Sequence, residues 1–212
     1  MLAAAIFSVV LISGCSTANN LKNVTTATPI RLETKKTIML QQIKSNIKVG
    51  EIVGKLYGGW ADLDVGPFRW GLAGDILHFS FSSLSAVLKD ELENANYEIV
   101  ANPVNLKGDE PQVATTLLLA GTVTELNMNL HYPAGISGNL PSRASAYLKI
   151  EWNVFSGTNK NSVYTVVTEG SVDQKSSKGH GVDSALGEAF SVAVKNLLAD
   201  KHFTQVVLSE TH

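Results

Sequence analysis

The residues of this chain that could do chemistry are one cysteine, five histidines and a scatter of carboxylates. A cysteine thiolate is a strong nucleophile that forms stable thioethers. Cys15 is alone, so no internal disulfide can form, and no CxxC or Cys/His spacing for zinc exists. The histidines are His78, His131, His180, His202 and His212. They form neither HExxH nor a pair four residues apart. Asp75 and His78 could share a helix face, and read as a solvated helix N-terminus. His180, Asp183 and Ser184 fall within five residues. Triads are assembled from distant elements, and GxSxG is absent. Asp62 and Asp64 lack a third oxygen ligand nearby and read as a turn. GxGxxG and GxxxxGK[ST] are both missing. No catalytic residue, metal ligand or cofactor is expected, so the chain does not read as an enzyme.

The elements that would carry such residues come from an ordinary globular composition. The chain has 212 residues, 44% hydrophobic and 17% charged, which excludes wholesale disorder. With 17 basic and 19 acidic residues the formal charge is −2, so there is no footprint for nucleic acid.

Thr37–Ile43 and Lys48–Leu56 read as strands. Tyr57–Gly71 is rich in glycine and aromatics and reads as an irregular loop. From about Asp75 to Ala95, Leu77, Phe81, Leu84, Leu88 and Leu92 recur at helical spacing. Tyr97–Val100 reads as a short strand. Thr115–Tyr132, Ala144–Phe155 and Val163–Val172 alternate at period two, the mark of an antiparallel meander with one buried face. A second helix is expected over Val182–Asp200, and a short strand or coil over His202–Leu208.

Two amphipathic helices on one face of a mostly antiparallel sheet of five to six strands make an α+β fold, an α/β two-layer sandwich. Residues 36–212 form its single domain. Trp152 takes an alternating strand position and belongs to the core. Phe68 is a candidate partner contact. Trp60 and Trp70 flank the glycine-rich loop. They either staple it to the sheet or offer an aromatic patch to a partner. Tyr132 and Ile136, around the Pro133–Pro141 loop, are the other candidate contacts.

Residues 1–11 are apolar or small, a run too short to span a bilayer and of the length of a signal-peptide core. Ile12-Ser13-Gly14-Cys15 closes it and resembles the lipobox of bacterial lipoproteins. The resemblance implies cleavage between Gly14 and Cys15, removal of residues 1–14, and acyl chains, palmitate among them, on Cys15. Ser16 stands where an aspartate would retain the protein at the inner membrane, which implies the periplasmic face of the outer membrane. Residues 15–35 are small, polar and aperiodic, and read as a lipidated cysteine and flexible tether.

A second likeness covers Glu51–Asp200. Gly66-Pro67-Phe68-Arg69-Trp70-Gly71, Leu119-Ala120-Gly121-Thr122-Val123-Thr124, Glu151-Trp152-Asn153-Val154-Phe155 and Asn196-Leu197-Leu198-Ala199-Asp200 resemble a non-catalytic module that precedes the peptidase domain of some bacterial trypsin-like serine proteases. No peptidase residue has a matching position. More loosely, the order of elements is similar to outer-membrane assembly and secretion lipoproteins. Together these imply a non-enzymatic scaffold or accessory subunit of an envelope complex such as a secretion machine. Its partners would be envelope proteins or further copies of the chain. The alternative they imply is an accessory partner of a periplasmic trypsin-like protease.

Overall fold

The computed structural model describes residues 21–59, 61–71, 82–100, 117–133, 143–156, 162–174 and 181–209. Gly14, Cys15, Trp60, Ile136, Asp75, His78 and His180 lie outside the described residues.

The elements run β1 (Lys36–Leu40), β2 (Lys44–Ser45), β3 (Ile52–Gly58), β4 (Leu63–Arg69), α1 (Ser82–Asn94), β5 (Tyr97–Val100), β6 (Leu117–Tyr132), β7 (Arg143–Phe155), β8 (Ser162–Gln174), α2 (Gly181–Leu198) and α3 (Lys201–Ser209). All eight strands join one sheet. The expected α+β class holds, with three helices rather than two. The strand count of five to six does not, and the sheet is mixed, although most of its residue pairs are antiparallel. The meander β6-β7-β8 is antiparallel, but β6 pairs in parallel with β1, β2 and β3, and β1 with β5.

The reason is that β1, β2 and β3 form one interrupted strand. Ile38–Leu40, Lys44–Ser45 and Gly54–Gly58 lie in turn along Leu117–Leu119, Thr122–Val123 and Met128–Tyr132. β5 extends the sheet beyond β1, and β4 extends it beyond β3. β4 falls in the segment read as loop. Its glycine and proline suit an edge strand, where a missing N–H leaves no gap in a ladder.

The core is the inner sheet face. Ala144, Ala146, Leu148, Ile150, Trp152 and Val154 of β7 are all fully buried, as their alternation predicts. Trp152 fills the space above Gly121, where a Cβ would come within 2.7 Å of its ring. Its indole N–H donates to Thr168 Oγ1 at 2.7 Å, and that hydroxyl donates to the Ala193 carbonyl at 2.9 Å. This chain of bonds satisfies two buried polar groups while tying β7, β8 and α2 together.

Helix α2 buries Ala185, Leu186, Ala189, Phe190, Ala193, Val194 and Leu197. Its alanines let it ride close on β8. α1 buries Leu84, Leu88 and Leu92. It stops at Asn94, and Asn96 takes the left-handed conformation at φ 72° that ends many helices. α3 replaces the strand or coil expected over His202–Leu208. Asp200 caps it, accepting from the His202 and Phe203 N–H groups at 2.7 and 3.0 Å. Phe203 and Val207, one turn apart, are fully buried.

The segment read as tether is held to the body from Lys22 onward. Lys22 pairs with Glu169 on β8. The Val24 N–H donates to Ser171 Oγ at 2.8 Å, and the Ala27 N–H to Asn196 Oδ1 at 2.8 Å. The Ile30 N–H reaches the Leu198 carbonyl at 2.9 Å and the Leu32 N–H the Ala95 carbonyl at 3.1 Å. Leu32 is buried in the core. Residues 22–32 therefore form a strap that crosses from β8 past the end of α2 to the end of α1. A stretch without periodicity can still be ordered, because its partners are backbone and amide groups far along the chain.

Candidate functional site

Alternation puts every second residue of the meander on the outer sheet face. There Asn127 sits opposite Tyr147 and Tyr147 opposite Ser171; Lys149 lies between Glu125 and Glu169; His131 faces Arg143. Polar side chains thus line the face that α2 does not cover.

Two charged clusters organise it. In the first, Lys149 Nζ lies 2.9 Å from Glu125 and 3.9 Å from Glu169. The bond to Glu125 holds the Lys149 ammonium above its ordinary pKa. Lys22 sits 5.9 Å from the centre of the Tyr147 ring and ties to Glu169. That tie, with lesser help from Tyr147 and Lys149, lowers the Glu169 carboxyl. Tyr147 is buried, and burial, seconded by Glu125 and Glu169, pushes its phenol up. It is a neutral donor at any physiological pH.

The second cluster lies where the parallel strands β3 and β6 end together. Tyr57 stacks on His131 with ring centres 4.6 Å apart and planes 9° off parallel. His131 Nδ1 is 2.9 Å from Asp62 Oδ1, and Arg143 Nη2 is 3.5 Å from Asp62 Oδ2. Arg143 Nη2 is also 3.4 Å from both nitrogens of the imidazole. An atom equidistant from both at that range lies over the ring, not in its plane. One guanidinium nitrogen therefore sits against the face of the histidine ring. Asp62 serves both the imidazole and the guanidinium from the left-handed region at φ 48°, which short polar side chains tolerate. Beside it, Lys55 donates to Asp64 at 2.8 Å and lowers that carboxyl, with the Gly66 N–H at 3.0 Å helping.

Asp62 and Asp64 thus each face cations rather than a shared ion. Among the described residues no three His, Cys, Asp or Glu side chains gather as a metal site. Ser184 hydrogen-bonds Glu188 and takes a bond from Gln174. The clusters are surface ion pairs, which contribute little stability each; what they supply is a fixed charge pattern.

Of the expected partner contacts, Phe68, Trp70 and Tyr132 are 4%, 9% and 4% exposed. Trp70 fits the stapling alternative, pairing through its backbone with Glu51 and Gly50, and all three rings sit in the core cluster. A docking protein does not reach them. Among the described residues the exposed large apolar side chains are Val49, Ile52, Leu63 and Val65, on or beside the β3–β4 ribbon, and Val100, Val163, Val167 and Leu208 elsewhere. Neither type nor spacing marks Tyr57, His131 and Arg143 as site residues. The only sequence signal for the last two is the outward phase of their strands.

No family model matches this chain, and no curated protein does. Solved structures share its outline. A Xanthomonas campestris protein of family DUF330 aligns at 10% identity over 89% of this chain and 98% of its own, with a TM-score of 0.48. The PelC dodecamer of Paraburkholderia phytofirmans aligns at 14% identity over 84% and 97%, TM-score 0.38. A lipoprotein of Neisseria meningitidis aligns at 10% identity over 82% and 99%, TM-score 0.32. Likeness at this level carries no argument about what this chain does.

Proposed function

We propose that this chain is a bacterial envelope lipoprotein, held at the periplasmic face of the outer membrane by acyl chains on Cys15, whose body acts by contact rather than by turnover. It is a scaffold or accessory subunit of an envelope complex. The observation that carries this reading is the apolar run closed by Ile12-Ser13-Gly14-Cys15, with the only cysteine of the chain at the position that needs a thiolate. Among the described residues no helix is long and apolar enough to cross a membrane, so an anchor of another kind fits. Two or more acyl chains give stable binding, each buried CH₂ contributing about 0.8 kcal/mol.

Confinement to a surface raises the local concentration of any partner held there. The β3–β4 ribbon offers that partner exposed Leu63 and Val65 beside the fixed charges of Asp62, Asp64, Lys55 and Arg143.

The test is metabolic labelling with palmitate in cells expressing the full chain. Label that disappears in Cys15→Ser, with precursor accumulating under globomycin, is the expected result. Unlabelled wild type, or processing indifferent to globomycin, overturns the reading. A photo-crosslinker at Leu63 should trap an envelope protein in intact cells, while one at Asp90 on α1 should not.

A further inference from the structure

We propose that the pinned strap orients the body, turning the outer face of the β6-β7-β8 meander toward the bilayer and the helices away from it. The inference rests on the lipid-anchor reading and adds a geometry to it.

The anchor site and the first pin are close in sequence. Lys22, the first residue of the strap, is only seven residues from Cys15. Seven residues span at most about 25 Å fully extended.

Lys22 is also on a defined side of the body. Its partners Glu169 and Ser171, the latter through Val24, have the outward phase of β8. The neighbouring residues Thr168, Gly170 and Gln174 have the opposite phase. They meet α2 at the Ala193 carbonyl, beneath Ala189, and at Ser184. The strap then crosses to α2 at Asn196, which also donates to the Glu169 carbonyl and closes the edge of β8 at that point. The chain thus leaves the body on its outer face, beside Tyr147 and Lys149.

For the helices to face the lipid, those seven residues would have to pass around the sheet and the helix layer. A helix packed on a sheet adds roughly 15 Å of thickness beyond the sheet plane, and the detour around the edge of β8 comes on top, so only a path close to the full extension of about 25 Å would serve. Any shorter path keeps the outer face toward the membrane. The partner of that face is the lipid surface carrying the anchor. The helical layer stays open to the periplasm.

The test uses the full-length acylated protein on phosphatidylethanolamine/phosphatidylglycerol vesicles. The acylated Cys15 does not react with maleimides, so one fluorophore can be placed at Val167→Cys on the outer face or at Asp90→Cys on the exposed side of α1. Energy transfer to a headgroup-labelled acceptor lipid is read for each. Transfer at least about twofold stronger from position 167 is expected, given the thickness of the helix layer. Inserting about twenty Gly/Ser residues after Asn19 should bring the two values together without touching the fold. The double variant Lys22→Ala/Ser171→Ala should shrink the difference by freeing the strap as far as Ala27. Equal transfer from both positions in protein that floats with the vesicles, or stronger transfer from position 90, overturns the orientation alone. Protein that does not float at all overturns the anchor reading and this inference with it.

Discussion

Gly170 of β8 lies directly beneath Ala189 of α2: a Cβ on that glycine would stand 1.9 Å from the Ala189 carbonyl oxygen and 2.7 Å from the Ala193 amide nitrogen. Both obstacles are helix backbone, which cannot rotate out of the way. Gly170→Ala must push α2 off the sheet and disturb the burial of Phe190 and Trp152. Overpacking of this kind costs about 3 kcal/mol or more. The urea midpoint should fall accordingly at unchanged slope. A loss below about 1 kcal/mol would show that the helix does not sit where it is placed.

Gly187, within α2 itself, is the contrasting case. The nearest atom to an added Cβ is Val87 Cγ2 at 4.0 Å, an ordinary contact. Gly187→Ala should stabilise by about 0.5–1 kcal/mol, because alanine has less backbone entropy to lose in a helix. A lower melting temperature would contradict the open space seen there.

Thr168 passes a hydrogen bond from Trp152 to α2 inside the core. Thr168→Val keeps the shape and leaves the indole N–H buried without an acceptor. The expected loss is about 1–3 kcal/mol. In the Trp152→Phe background the same change should be nearly neutral, since the orphaned donor is gone. Equal losses in both backgrounds would mean that the bond contributes nothing specific.

Glu169 ties the strap through Lys22, and that tie holds its carboxyl below the ordinary value of 4.5. A group whose pKa is lowered by docking favours the docked form fully above its free pKa. That preference fades as pH falls through the lowered value. The Val24 amide, bonded to Ser171 Oγ, should therefore lose hydrogen-exchange protection as pH falls below the usual carboxylate range. In Lys22→Ala that pH dependence should disappear, because Glu169 then has the same pKa whether the strap is docked or free. Protection of the Val24 amide that falls with pH equally in both proteins would remove Glu169 from the account.

Asp62 combines a left-handed backbone with two polar partners, the His131 ring and the Arg143 guanidinium. Asp62→Asn keeps a residue that tolerates that conformation and an oxygen for His131. Asp62→Ala keeps neither, and should be the more damaging by about 1 kcal/mol. Thermal unfolding of the pair decides it; identical melting temperatures would mean that neither the backbone nor the acceptor matters at the ribbon's end.

What the sequence alone determined is everything that repeats locally. The long alternations of β6, β7 and β8 placed Ala146, Leu148, Ile150 and Trp152 inside before any contact was known, because a strand's two faces are set by its own period. The Leu84, Leu88 and Leu92 spacing did the same for α1. Only the tertiary structure decided the rest. Whether Trp70, Phe68 and Tyr132 are staples or bait depends on what packs over them, and a ring's type says nothing of that. β4 reads as loop because glycine and proline are strand-breakers in isolation; it becomes a strand when β3 offers it a ladder. The aperiodic residues 22–32 look free because their partners Glu169, Ser171 and Asn196 lie 147 to 169 residues away along the chain. Charge clusters such as Tyr57, Asp62, His131 and Arg143 share this origin: four unremarkable residues from separate stretches of chain become one site only when parallel strands bring their ends together.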